Sequence, residues 1–150
     1  MQRALDDLRN IGGRQAWTWL LAETATECIK QGDPTSAFNL LNEAFEQKNT
    51  NDERYWEAEL HRLRGEAMLA SKDRELSGAE ACFDKALSVA MDQDSKALAL
   101  RAATSLARLR AATGRRDEAR SILSPVYGEF TEGFDTADLR EAKNLIEELS

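Results

Sequence analysis

Three segments of this chain carry one apolar template. Counting from an alanine as zero, Ala37, Leu40, Leu41, Ala44 and Phe45 take offsets 0, 3, 4, 7 and 8. Ala79, Cys82, Phe83, Ala86, Leu87 and Ala90 repeat those offsets and add 11, and Ala119, Ile122, Leu123, Val126, Tyr127 and Phe130 form a third copy. Steps of three and four place all of these side chains on one stripe of an α-helix. A second helical stripe precedes each copy: Trp17, Leu20, Leu21, Thr24, Ala25, Cys28 and Ile29, then Trp56, Leu60, Leu63, Ala67 and Met68, then Ala99, Ala102, Ala103, Leu106 and Ala107. An apolar stripe must be buried against another element, so the pattern predicts three helix pairs, over residues 14–50, 52–92 and 94–131.

The polar breaks agree with this division. In Gln31-Gly32-Asp33-Pro34-Thr35, glycine can close one helix while Asp33 caps the next with Pro34 in its first turn. Gly114-Arg115-Arg116-Asp117-Glu118 breaks the third pair, and a longer polar stretch, Ser71 to Ser77, breaks the second, with its helix starting at Ser77 or just before. Pro125 has no N–H to donate to Ser121 and predicts a kink in the last paired helix. Beyond it, Leu139, Ala142, Ile146 and Leu149 form one more stripe. Thr136 or Asp135 can cap that helix, with Asp138 and Glu141 near its positive end, so residues 136–149 read as a capping helix. Residues 1–12, with Leu5 and Leu8 before Gly12-Gly13, read as the end of an upstream helix.

These residues resemble tetratricopeptide repeats. Gly32 and Gly114 each stand five residues before the template alanine, Gly65 falls where the family's first-helix glycine would, and Ala44 and Ala86 take its small second-helix position, with Val126 the departure. The equivalent alanines are 42 and then 40 residues apart, against a family period of about 34. The resemblance covers about residues 15 to 131 and implies an all-α, right-handed solenoid of about three helix pairs plus the C-terminal cap.

A narrower resemblance covers about residues 55 to 149. The strings Leu60 to Glu66, Arg101 to Leu109 and Leu123 to Thr136 are similar to the tail of bacterial signalling proteins. In those proteins a class III adenylate or guanylate cyclase domain, or a DNA-binding regulator domain, precedes an ATPase and a tetratricopeptide-like region. The resemblance implies a non-catalytic interaction or regulatory region. A structural oligomerisation module, or the repeat region of an ATPase-type transcriptional regulator, is the alternative.

Composition narrows the chemistry. The 150 residues are 42% hydrophobic with 2 prolines and 8 glycines, as a chain with a packed core should be. A net charge of −7 disfavours nucleic-acid binding, and the arginine-rich stretch Arg108, Arg110, Arg115, Arg116 and Arg120 lacks interleaved aromatics, so ion pairing with acidic helices is its expected role. No apolar run approaches the roughly 20 residues of a spanning helix, and residues 1–10 lack the apolar run of a secretory leader. A cytoplasmic protein without membrane association is expected. His61 is the single histidine, expected on the surface or in a groove; Cys28 and Cys82 lie on apolar stripes, where packing is their expected role. No phosphate loop, dinucleotide motif or metal-ligand spacing is present, so no catalytic residue, cofactor or metal is expected.

The binding surface of a helix-pair solenoid is usually its concave side, lined by the first helix of each pair. The tetratricopeptide resemblance places there Trp19, Thr26 and Lys30, then Glu59, Arg62, Glu66 and Leu69, then Arg101, Thr104 and Arg108. Four are basic and two acidic. Arginines grip carboxylates bidentately and an exposed Trp19 can anchor an apolar group, so the expected partner is an acidic or amphipathic protein segment, or the parent's own catalytic domains. Self-association through the N-terminal helices is the competing expectation.

Overall fold

The computed structural model describes residues 14–51 and 55–150. They form seven helices and, among the described residues, no strand: α1 (Arg14–Lys30), α2 (Pro34–Asn51), α3 (Glu57–Ala70), α4 (Leu76–Asp92), α5 (Lys96–Ala112), α6 (Arg116–Gly128) and α7 (Ala137–Leu149). Residues 1–12, read from the sequence as an upstream helix end, lie outside this range.

Local chemistry sets the helix limits. Gly32 and Gly114 adopt φ of +77° and +85°, a left-handed conformation that costs glycine nothing, and so close α1 and α5. Asp33 then caps α2, its Oδ1 accepting the Ser36 N–H at 3.1 Å. Ser95 and Thr136 cap α5 and α7, accepting from the N–H groups of Leu98 and Leu139.

Two sequence expectations shift by a few residues, while the expected helix start at or just before Ser77 holds. Trp56, read as part of a helical stripe, sits just before α3, its carbonyl accepting the first bond from Leu60 at 2.9 Å. The helix after the Ser71 to Ser77 connection starts at Leu76, because the Glu75 carbonyl accepts from Ala79. Phe130 lies beyond α6: past Pro125 the helix ends at Gly128, with i to i+3 bonds from Glu129 to Val126 and from Phe130 to Tyr127.

Each helix packs against its successor, and in addition α1 meets α3, α3 meets α5 and α5 meets α7. Among the described residues, no close backbone approach joins α2 to α4 or α4 to α6. The odd-numbered helices are therefore mutual neighbours in one layer, with the even-numbered ones laid over them. This is an all-α, helical-repeat-like fold.

The apolar template explains the packing. Offsets 0 and 4 are fully buried in all three copies, as Ala37 and Leu41, Ala79 and Phe83, and Ala119 and Leu123. Offsets 3 and 8 are half-buried in all three. Five residues before the end of α1, α3 and α5 stand Ala25, Gly65 and Ala107, all buried, so the helices cross where side chains are smallest. The central α5 has neighbours on several sides and buries Ala99, Ala102, Ala103, Thr104, Ser105 and Ala107, small enough to be approached from each. Cys28 and Cys82 are half-buried rather than fully enclosed. Cys82 Sγ stands 4.0 Å from Met68 Sδ, and burial pushes both thiols above their ordinary pKa.

Candidate functional site

The odd helices share a polar face. On α1, Trp19, Glu23, Thr26 and Lys30 recur at helical spacing; α3 adds Glu59, Arg62 and Glu66; α5 adds Arg101, Ser105 and Arg108; α7 adds Asp138 and Glu141. Because these helices lie side by side, the four rows form one surface. It encloses a hollow of about 270 Å³ lined by Glu23, Thr26, Lys30, Glu59, Arg62, Arg101, Thr104, Ser105, Arg108, Asp138 and Glu141. A second hollow of about 450 Å³, between α5 and α7, shares Arg108 and Glu141 with it.

Ion pairs tie the floor together. Glu59 is only 4% exposed and accepts from Arg62 Nε at 3.1 Å on both oxygens and from Arg101 Nη1 at 3.3 Å. Arg101 Nε reaches on to Asp138 Oδ2 at 2.9 Å, and Arg62 Nη1 stands 3.7 Å from Glu66 Oε1. Glu66 also accepts the Ser105 hydroxyl at 2.8 Å. Arg108 pairs with Glu141 at the rim. The chain of charges therefore runs from α3 through α5 to α7. Burial works against the charge on Arg62, but Glu59, Glu66 and Asp138 outweigh it and hold the guanidinium above its usual pKa. Arg101 is raised likewise, with burial opposed by Asp138 and Glu59.

Seven of the ten residues singled out in the sequence line the hollow: Thr26, Lys30, Glu59, Arg62, Arg101, Thr104 and Arg108. Glu66 lies behind it, bonded to Ser105, and Trp19 is exposed on α1 outside the lining. Leu69 packs with Ala79 and Phe83 in the core instead. Glu59, read as an open groove residue, is buried, because two arginines from adjacent helices enclose it. Thr26 and Thr104 turn their hydroxyls back to the carbonyls of Ala22 and Leu100, at 2.8 and 2.7 Å.

The expected positive excess is also absent. Lys30, Arg62, Arg101 and Arg108 meet an equal number of lining carboxylates, Glu23, Glu59, Asp138 and Glu141. The sequence reading gave Asp138 and Glu141 only a helix-dipole role. In the structure they lie on one face of α7 and pair with Arg101 and Arg108 of α5.

Compared with protein-family models, curated proteins and solved structures, the chain matches none.

The lining holds no cysteine and no histidine; His61 stacks on Phe45 at 4.9 Å between α2 and α3. Among the described residues, no group of three His, Cys, Asp or Glu could hold a metal ion, and no helix is long and apolar enough to cross a membrane. The remaining arginines of the basic stretch serve the outer side. Arg115 grips Glu80 with two bonds of 2.9 and 2.8 Å, Arg110 joins it at 3.1 Å, and Arg116 donates to the Glu148 carbonyl.

Proposed function

We propose that this chain is a non-catalytic protein-interaction module, a tetratricopeptide-like solenoid that regulates or recruits for a larger signalling protein of the nucleotide-cyclase kind. The neighbouring odd helices, the aligned small residues and the glycine-closed turns support the solenoid reading. The observation that carries the function is the hollow along the odd helices, with arginines at its rim.

An acidic partner segment would bind there by exchange. The rim pairs Arg101 with Asp138 and Arg108 with Glu141 are substantially exposed, and such pairs contribute only about 0–1 kcal/mol. A partner carboxylate can replace the internal one at little cost. Lys30, which has no carboxylate partner among the described residues, adds a free cation on α1. The buried Glu59 to Arg62 pair stays in place as the floor.

The test is titration of a labelled amphipathic peptide with glutamates at helical spacing, followed by fluorescence anisotropy. Arg101→Gln with Arg108→Gln should weaken binding by about tenfold, the scale of one lost charge-assisted contact, while circular dichroism shows the helices retained. Binding unchanged in that variant would remove the hollow as the site. The mass of the native polypeptide tests the parent: a band at 16.8 kDa in host lysate would remove the cyclase-linked reading, and a much larger one would support it.

A further inference from the structure

We propose that the edge where even helices end and odd helices begin is a second docking surface, independent of the hollow, and that it takes a basic amphipathic segment of a partner protein. The buried cluster of Ala58, Val89, Ala90, Leu98 and Ala99, with Val126 packed on it, brings the start of α3, the end of α4, the start of α5 and the end of α6 to this one edge. On the edge stand Tyr55, Met91 and Phe134, at 64%, 62% and 48% exposure. They are three of the five large hydrophobic side chains exposed among the described residues. Neighbouring rings hold two of them: Tyr55 meets Trp56 edge-on at 4.9 Å, and Phe134 leans on Tyr127 at 6.0 Å. Exposed aromatics and methionine are the side chains enriched in protein interfaces, and a thioether adapts to varied partners.

Charge selects the partner. Segments 91–96 and 128–136 carry Asp92, Asp94, Glu129, Glu132 and Asp135 against Lys96 alone. All five carboxylates are exposed, and none takes part in a side-chain ion pair within the described residues. This contrasts with the hollow, where arginines neutralise the buried carboxylate. It contrasts too with the opposite edge, where the turns 30–34, 71–76 and 113–118 carry cations and carboxylates in equal number. Apolar anchors within an unpaired acidic rim complement a segment that places lysines or arginines beside two or three apolar side chains.

The whole chain can be titrated with a labelled synthetic peptide of leucine and lysine at helical spacing, and with its counterpart carrying glutamate for lysine. The lysine peptide should bind and the glutamate peptide should not. The triple variant Tyr55→Ser, Met91→Gln, Phe134→Ser should weaken binding by about tenfold, since truncated anchors carry most of an interface's affinity. Asp92→Asn with Glu132→Gln should weaken it by about threefold and flatten its salt dependence. Arg101→Gln with Arg108→Gln, which disturbs only the hollow, should leave it unchanged. Undiminished binding by the triple variant would overturn the proposal, as would binding lost with the hollow variant. Self-association of the chain that the triple variant abolishes would also overturn it, by assigning the edge to a second copy.

Discussion

Gly65 lies directly beneath Phe83. A Cβ at Gly65 would stand 2.5 Å from Phe83 Cε1 and 2.8 Å from Cδ1, and Phe83 is fully buried with nowhere to swing. The equivalent pairs along the array are Ala25 with Leu41 and Ala107 with Leu123, so the middle pair trades a smaller residue on one helix for a larger one on the other. Gly65→Ala is therefore expected to destabilise by about 1–2 kcal/mol, the overpacking cost less the helix propensity regained. Phe83→Leu alone should cost about 1 kcal/mol through the space it leaves. The double variant restores the pattern of the flanking pairs and should be more stable than Gly65→Ala alone. Urea denaturation of the three variants measures this; additive losses would mean that the two positions do not share one space. Gly78→Ala is the control, since its nearest neighbours are flexible side chains of Glu75 and Met68.

Glu59 divides the ion pairs into two classes. Removing it leaves Arg62 largely buried with only Glu66, at 3.7 Å, within ion-pair distance, so Glu59→Ala is expected to cost about 3 kcal/mol. Glu141→Ala breaks only an exposed pair and should cost under about 1 kcal/mol. Replacing Glu59 and Arg62 together by methionine should recover much of the loss, because Arg101 keeps Asp138. Chemical denaturation of the set reads the difference directly.

Glu80 should make stability depend on pH. Hydrogen bonds from Arg115 and Arg110 outweigh burial and hold its carboxyl below the ordinary glutamate pKa. A depressed folded-state pKa means stability that is complete above the unfolded value, about 4.3, and is lost as pH falls through the folded one. Glu80→Gln is expected to lose about 1 kcal/mol at neutral pH and to match the parent chain once the carboxyl is protonated in both the folded and unfolded states. Denaturation midpoints across that range test the sign. A gap between the two proteins that widens in acid would contradict it.

The turn glycines can be separated from packing. At both Gly32 and Gly114 nothing lies within 4 Å of the position a Cβ would take, so the whole cost of a side chain is backbone strain. Gly114→Ala should cost about 1 kcal/mol, and Gly114→Asn less, because asparagine tolerates the left-handed region. A thermal melt of the two variants orders them.

How much of this was readable in the sequence follows from the range of each interaction. The helices, their buried stripes and the caps at Asp33 and Thr136 depend on residues within four positions of one another. Spacing alone exposes them. Seven hollow residues were legible because they repeat along one face of each first helix. The balance of charge was not: Arg101 meets Asp138 across 37 positions and Arg108 meets Glu141 across 33, and only the adjacency of α5 and α7 brings them together. The burial of Glu59 was hidden for the same reason. A carboxylate in a polar stretch looks solvated until a second helix delivers the arginine that encloses it. The edge residues Tyr55, Met91 and Phe134 sit at helix limits, where periodicity stops and exposure depends on the turn.

Thr136 governs how firmly α7 holds these pairs. Its hydroxyl accepts the Leu139 N–H at 3.4 Å, and Asp138 in the first turn complements the positive end of the helix while also binding Arg101. The helix is otherwise fixed by Leu139, Ala142, Leu145 and Leu149 against α5 and α6. Thr136→Ala is expected to cost about 0.5–1 kcal/mol, concentrated in the first turn of α7. Hydrogen exchange should then quicken at the Leu139 and Arg140 amides while those of α3 keep their protection. Thr136→Ser keeps the acceptor and should restore the parent rates. If all helices lost protection equally, the cap would act through global stability, and α7 would be an inseparable part of the core rather than a terminal layer.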